Sequence, residues 1–191
     1  LASINQDMKY LIQEYHDGLL LYEVSNRDVW EKAANDEAGL QAFYNKNKSN
    51  YKWDEPRFKG IAYYTRDEKD INAVKKSVKG KDFDKWVEIL RSTFNNDSIL
   101  RIRVEKGIFK EGDNKIVDKE IFKNAKAEIR QMKDFPYTAT FGKVIKKPED
   151  LSDVRALVTA DYQELKEQEW LLELKNRYPV VINEDVLNTI K

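Results

Sequence analysis

Residues 57–65 read Arg-Phe-Lys-Gly-Ile-Ala-Tyr-Tyr-Thr, and they determine how the middle of the chain is interpreted. The stretch is rich in aromatic and branched residues and follows Pro56, which closes a linker. This composition is typical of a β-strand. Residues 99–109 and 137–146 alternate apolar and polar side chains, which predicts two half-buried strands, the first of them broken or bulged at Gly107.

Short helices are predicted between these strands. Residues 67–78 form the first, which Gly80 ends as a C-cap, and Asp82 begins the second. Residues 112–114, Gly-Asp-Asn, predict a turn, and residues 117–122 predict one helical turn. The inward-facing residues of the second helix are predicted to be Phe83, Trp86, Val87 and Leu90.

Long helices are predicted at both ends. Apolar residues recur every three or four positions over residues 5–24, a further helix starts after Asn35 or Asp36, and a helix of about 26 residues starts near Asp150 or Ser152. The apolar stripe of the last helix is predicted to comprise Val154, Leu157, Val158, Leu165 and Leu172. The fold class is therefore α+β, with a helical segment (1–50), a middle domain (51–148) and a C-terminal helix with tail (149–191).

Composition excludes several kinds of chemistry. The chain has no cysteine and one histidine, His16, so thiol nucleophiles and cysteine–histidine metal sites are not expected. We predict no metal and no cofactor. Lys and Arg number 34, as do Asp and Glu, which argues against nucleic acid as a partner. No apolar run is long enough to predict a membrane span.

Two carboxylate pairs, Glu68 with Asp70 and Glu164 with Glu167, have spacings that suggest acid–base chemistry. Carboxylates in such charged surroundings are usually solvated surface groups, so we expect no catalysis from them. Residues 112–114 resemble the start of a calcium loop, but Asn124 stands where such a loop ends with an acidic residue. A simple turn is the better interpretation.

Several short motifs occur in a fixed order through the chain. They are Leu40-Gln41-Ala42-Phe43-Tyr44, Asn47-Lys48, Tyr51, Pro56-Arg57-Phe58-Lys59, Gly80-Lys81-Asp82-Phe83, Gly107-Ile108-Phe109, Val117 with Phe122, and Phe141-Gly142-Lys143-Val144-Ile145. In order and spacing this set resembles the parvulin-type domain of exported foldases, the SurA-like and PrsA-like peptidyl-prolyl isomerases. The resemblance covers roughly residues 40–147, and the helix that follows looks like the tail that returns to the helical part of SurA-like chaperones.

The resemblance implies a small antiparallel sheet wrapped by short helices and flanked by long helices. It implies an acidic catalytic position at Asp97 and an apolar shelf for a proline ring made of Ile116, Phe122 and Phe141. It also implies a periplasmic or exported protein whose partners are unfolded or proline-containing polypeptides.

This chain departs from the family where the family carries histidines. Gly60 stands at one such position, and Lys143 or Val144 at the other. The glycine-rich loop that usually precedes Gly107 is also absent. Prolyl rotation makes and breaks no bond, but loss of the polar groups around the twisting amide commonly adds about 2–4 kcal/mol to a barrier. We therefore expect weak or absent catalysis.

Three functions remain open from the sequence. The first is a foldase domain that binds extended polypeptides with little isomerase activity, and the second is a working isomerase that relies on Asp97. The third is a non-catalytic assembly module, such as a homodimer formed through the helical ends of a longer protein. For the first function, the aromatic residues predicted to contact clients are Trp30, Trp53, Tyr63, Tyr64 and Trp86.

Overall fold

The chain divides into two compact units in a computed structural model, which describes residues 6–96 and 98–189. Unit 1 comprises Leu1–Asn50 and Asp150–Lys191, and unit 2 comprises Tyr51–Glu149. Unit 1 is helical where it is described, whereas unit 2 contains a three-stranded antiparallel sheet with short helices. The predicted α+β class is confirmed. Among the described residues, no helix is both long enough and apolar enough to cross a membrane.

The sheet of unit 2 has its first strand in the centre. Strand β1 (Arg57–Thr65) pairs antiparallel with β2 (Ile102–Phe109) on one side and with β3 (Tyr137–Ile145) on the other. All three predicted strands are present. A central strand is buried on both faces, which explains why the aromatic and branched residues of β1 form a nearly continuous run.

Two details of β2 differ from prediction. The strand begins at Ile102, three residues later than expected, because the Asn95 side chain accepts hydrogen bonds from the backbone N–H groups of Arg101 (2.9 Å) and Ile102 (3.1 Å). These bonds hold the chain before the strand in a loop. Gly107 neither breaks nor bulges the strand, since it lies directly opposite Gly60 in a continuous register.

Helices cover both faces of the sheet. They are α4 (Lys69–Val78), α5 (Trp86–Phe94) and α6 (Lys115–Glu120). Alternation along β1 sends Ile61 and Tyr63 into a cluster with α4 and α5, and Phe58 and Ala62 into a cluster with α6. We call these two sides the α4–α5 face and the α6 face.

One side of α5 differs from prediction. Trp86, Leu90 and Phe94 are spaced by four and are buried in the core, whereas Val87 is 46% exposed. Val87 lies about 100° around the helix from Trp86, so it points away from the sheet. The prediction that Val87 faces inward is wrong.

Asp70 was also predicted wrongly. It sits in the first turn of α4 with 1% of its surface exposed, and it forms a bidentate ion pair with Arg101. Arg101 Nη2 lies 2.5 Å from Asp70 Oδ1, and Arg101 Nε lies 3.2 Å from Asp70 Oδ2. Asp70 is therefore a buried structural carboxylate that ties α4 to the segment entering β2, and it is not a solvated surface group.

Unit 1 begins with one long helical run. Helix α1 (Gln6–Ser25) continues through a π-helical turn (Asn26–Trp30) into α2 (Glu31–Asn35), so the run extends ten residues beyond Ser25. The predicted start at residue 5 lies outside the described residues. The remaining helices of unit 1 are α3 (Glu37–Asn47), α7 (Arg155–Arg177) and α8 (Glu184–Leu187).

Helix α7 packs against the π-helical turn and α2. Trp30 Nε1 donates to a Glu167 carboxylate oxygen at 3.0 Å, and Gln163 Nε2 donates to the Trp30 carbonyl at 3.0 Å. The predicted stripe of α7 is correct for Val154 and Val158, which are buried. Leu157 and Leu172 are exposed instead, at 59% and 61%.

A polar cluster joins α3 to α7. Asp36 caps α3 by accepting from the Gly39 N–H at 2.9 Å, and it also accepts from the Tyr162 hydroxyl at 2.7 Å. Both hydrogen bonds lower the pKa of Asp36 below its ordinary value of 3.8, and the bond from Gly39 has the larger effect. Arg155 likewise lowers the pKa of Glu37, first through a side-chain hydrogen bond and then through its positive charge.

We expect unit 1 to lose stability in acid through Asp36. The pKa of Asp36 is lower in the folded state than in the unfolded state, where it is near 3.8. The stabilisation that ionised Asp36 provides is therefore complete above pH 3.8, and it is lost as the pH falls through the folded-state pKa. Asp36→Asn should therefore be less stable than the wild type at neutral pH, and the difference should shrink below about pH 4. Circular dichroism melting from pH 2 to 7 measures this, and a difference that stays constant over that range would contradict it.

Candidate functional site

Most of the site residues that the resemblance implies lie on the α6 face of unit 2. Gly60 lies in the middle of β1, and Ile116 is a buried residue of α6 in the cluster with Phe58. Phe122 is half-buried against that cluster. Val144 is opposite Phe58 in the register and therefore on the same side, but it is 52% exposed. Four of the predicted residues thus share one face.

Three glycines form a row across this face. Gly60 pairs with Gly107 on β2 and with Gly142 on β3. A Cβ atom added at Gly60 would lie 2.5 Å from the Phe141 carbonyl oxygen and 2.6 Å from Phe58 Cζ. A Cβ atom added at Gly142 would lie 2.3 Å from the Lys59 carbonyl oxygen. The row is therefore a place where neither β1 nor β3 has room for a side chain.

Two phenylalanine rings fill the space that the glycines leave. Phe58 and Phe109 stack with their ring centroids 6.4 Å apart and an interplanar angle of 26°. Phe58 is 1% exposed and Phe109 is 4% exposed. Residue 60, which the resemblance aligns with a histidine of the family, is therefore covered by the Phe58 ring, and an imidazole there would occupy the same volume.

Phe141 does not join the other shelf residues. It pairs with Ile61 and projects to the α4–α5 face, where its ring centroid lies 5.5 Å from that of Trp86. An apolar shelf made of Ile116, Phe122 and Phe141 would need residues from opposite sides of the sheet. The structure places only Ile116 and Phe122 together.

Few polar groups stand on the α6 face near the glycine row. Thr140 Oγ1 donates to Glu120 at 2.9 Å, one residue pair along the strand from Phe141. Asp97, the predicted catalytic acid, lies outside the described residues, in the sequence between α5 and β2. A face of stacked rings and glycines can provide apolar packing for a ligand. In the part of unit 2 that is described, this face does not present a pair of groups arranged for proton transfer.

Phe58 and Phe109 decide what this face can hold, although neither was predicted from the sequence to be a site residue. The sequence does contain a signal for this packing, because Phe58 is two residues from Gly60 and Phe109 is two residues from Gly107. Residues two apart on a strand share a face, so a large ring beside a glycine covers the glycine.

Two of the aromatic residues predicted to contact clients are core residues. Tyr63 has no exposed surface, and its hydroxyl donates to the Ile71 carbonyl at 3.0 Å. Burial raises the pKa of the Tyr63 hydroxyl far above its ordinary value. Trp86 is 9% exposed and its Nε1 donates to the Lys81 carbonyl. Neither side chain is accessible to a client.

Among the described residues of unit 1, helix α1 exposes many apolar side chains. Nine apolar side chains there are each more than one third exposed: Met8, Tyr10, Leu11, Ile12, Tyr15, Leu19, Leu20, Leu21 and Tyr22. Gly18 has no atom within 4 Å of a Cβ position, and a shallow depression beside it is lined by Leu11, Tyr15 and Leu19. A group of exposed apolar side chains on one helix often marks an interaction site.

Comparison with known proteins identifies no relative. No protein-family model matches the chain, and no curated protein or solved structure matches it.

Proposed function

We propose that this protein is a parvulin-like foldase module that holds extended, non-native polypeptides and has little or no isomerase activity. The observation that carries the proposal is the exposure of the apolar side chains of α1 between Tyr10 and Leu21. An unfolded chain exposes the apolar side chains that such a surface buries on contact. The ordered motifs of residues 40–147 supply the resemblance to foldases, and an exported or periplasmic location follows from the same resemblance.

The distribution of residues on α1 favours a flexible polypeptide over a second copy of the chain. Tyr15 and Leu19 lie on one side of the helix, whereas Leu20 and Leu21, exposed by 52% and 62%, lie toward the other. A partner helix would cover only one stripe and leave the other apolar side in water. An extended polypeptide can follow both sides.

The net negative charge of α1 also favours a polypeptide client over a second copy of the chain. Helix α1 carries four carboxylates, at Asp7, Glu14, Asp17 and Glu23, against the single ammonium group of Lys9. Two copies of this helix brought together would repel each other. Apolar segments interspersed with Lys and Arg complement the surface, so we take such segments as the preferred clients.

The packing of the α6 face supports weak or lost catalysis. A prolyl isomerase needs a dry apolar cavity for the twisting proline, and the Phe58 ring occupies the space over Gly60. Client binding in this proposal therefore rests on α1, and unit 2 contributes a rigid folded body rather than a reaction centre.

We expect Leu11→Ser, Tyr15→Ser and Leu19→Ser combined to weaken client binding by at least about tenfold, since each removes apolar area that a client would bury. The measurement is suppression of aggregation of reduced, unfolded lysozyme, a basic client, as a function of protein concentration. The matched control is Val87→Ser, Ile99→Ser and Leu100→Ser, which removes three exposed aliphatic side chains from unit 2.

Three outcomes would contradict the proposal. Equal loss in both triple variants would mean that binding is not located on α1. A mass that rises with concentration, with no affinity for the client, would assign α1 to self-assembly. Acceleration of cis–trans exchange in a short proline peptide at micromolar protein would establish an active isomerase.

A further inference from the structure

Two arginines of unit 2 converge on one buried aromatic ring. The guanidinium carbon of Arg66 lies 5.3 Å from the centroid of Phe135, and that of Arg103 lies 5.1 Å from it. These distances place the two positive groups no more than about 10 Å apart, which is close to the Debye length at physiological ionic strength. Both arginines are exposed, so water and salt largely screen their mutual repulsion, and the two can remain close to one ring.

In the part of unit 2 that is described, neither arginine forms an ion pair. Neither Arg66 nor Arg103 has a carboxylate oxygen within 4.0 Å, and neither side chain makes a hydrogen bond to the described residues. The nearby carboxylates are engaged elsewhere: Glu120 accepts from Thr140, and Asp67 lies 3.9 Å from Lys69. Asp134, beside Phe135 in the sequence, is exposed.

A small cavity lies against the same ring. It has a volume of about 110 Å³ and is lined in part by Phe135, Tyr64 and Thr138. Arg103, Tyr64 and Thr138 stand in one row across the three strands, because Tyr64 pairs with both of the others. The row brings two hydroxyl groups and a guanidinium group to one end of the α6 face.

Two cations other than Arg66 and Arg103 line the cavity. Lys119, which lies in the last turn of α6, and Arg130 are both exposed lining residues, and neither has a carboxylate oxygen within 4.0 Å among the described residues. The cavity is therefore lined by two positive groups and by the hydroxyl-bearing residues Tyr64 and Thr138, and the Arg66 and Arg103 guanidinium groups lie against the Phe135 ring beside it. Guanidinium groups donate in a planar fork that matches the oxygens of phosphate and carboxylate.

We propose that these four cations, Lys119 and Arg130 in the lining of the cavity and Arg66 and Arg103 against the Phe135 ring, bind a phosphate group. A dianionic phosphate is favoured over a carboxylate because several cations converge, and a single negative charge would neutralise fewer of them. The site is in unit 2 and the client surface is on α1, so either can exist without the other.

Inorganic phosphate is the probe. Titration of the full chain, followed by amide chemical shifts, should give saturable changes at Arg103, Tyr64 and Thr138. We expect Arg66→Gln with Arg103→Gln to weaken phosphate binding roughly tenfold or more, because charge-assisted hydrogen bonds are lost. Arg66→Lys with Arg103→Lys, which keeps the charge and loses the fork, should fall between the wild type and the glutamine variant.

Arg91→Gln is the matched control, since Arg91 is an exposed arginine on α5 of the same unit. It should bind phosphate like the wild type. Equal affinity in the wild type and the double glutamine variant, with both folded by circular dichroism, would overturn the proposal. So would acetate binding as tightly as phosphate. The affinities of a phosphorylated peptide and of free phosphate distinguish the source of the phosphate group. If the natural ligand is a peptide, the phosphorylated peptide should bind more tightly than the free ion.

Discussion

Gly60→Ala should lower the free energy of unfolding of unit 2 by about 3 kcal/mol, at the upper end of overpacking effects. The added Cβ would lie 2.5 Å from the Phe141 carbonyl oxygen, which is held in the β1–β3 ladder, and 2.6 Å from Phe58 Cζ. The ring cannot move far, since it is 1% exposed and stacked on Phe109. Urea unfolding followed by tryptophan fluorescence measures the change.

Gly18→Ala is the control for this substitution. Nothing lies within 4 Å of a Cβ at Gly18, so alanine there should stabilise α1 by about 0.5–1 kcal/mol through its helix propensity. Similar losses at both positions would contradict the close packing of the glycine row. Phe58→Ala should reduce the cost of Gly60→Ala when the two are combined, because neighbouring sites that share a clash are not additive.

The same packing predicts what a restored histidine would do. Gly60→His with Val144→His should not raise prolyl isomerase activity, because the Phe58 ring occupies the volume that the imidazole at residue 60 requires. Val144 itself is 52% exposed, so its substitution alone should be tolerated. A peptide isomerisation assay at micromolar protein checks this, and a clear gain in rate would show that the α6 face can open.

The strands could be predicted from sequence because their signal is local. Residues 57–65 contain a run that suits a strand buried on both faces, and residues 137–146 alternate with a period of two. The start of β2 could not be predicted, because it depends on Asn95, a residue seven positions before Ile102 that accepts backbone hydrogen bonds across the loop. Such a contact leaves no periodic pattern.

The content of the candidate site was harder to predict than the fold. Which face Phe141 joins depends on its register opposite Ile61, and register is set by pairing between distant segments. The burial of Asp70 likewise depends on Arg101, which is 31 residues away. A pattern of charged residues along a helix indicates solvent exposure only on average. It does not predict the burial of a single carboxylate that pairs with an arginine far away in the sequence.

Arg101→Gln should lower the free energy of unfolding of unit 2 by about 3 kcal/mol, because it leaves the Asp70 carboxylate buried without its cation. The Asp70 side chain is 2% exposed and that of Arg101 is 39% exposed. The exposed part of the guanidinium group is screened by water, which keeps the expected loss at the lower end of the range for buried pairs. Asp70→Asn should cost less, since the guanidinium left behind reaches solvent.

Lys115→Gln provides the matched comparison. Lys115 lies 3.2 Å from Asp118, another carboxylate with 1% of its side chain exposed, but Asp118 also accepts from the Gly112 N–H at 2.7 Å. Because that hydrogen bond survives the substitution, and the Lys115 side chain is 60% exposed, the loss should be well below that of Arg101→Gln. Equal losses in urea unfolding would mean that Asp70 is stabilised by something other than Arg101. A double variant, Asp70→Asn with Arg101→Gln, should be more stable than the sum of the single losses predicts, since removal of both charges leaves no buried ion unpaired.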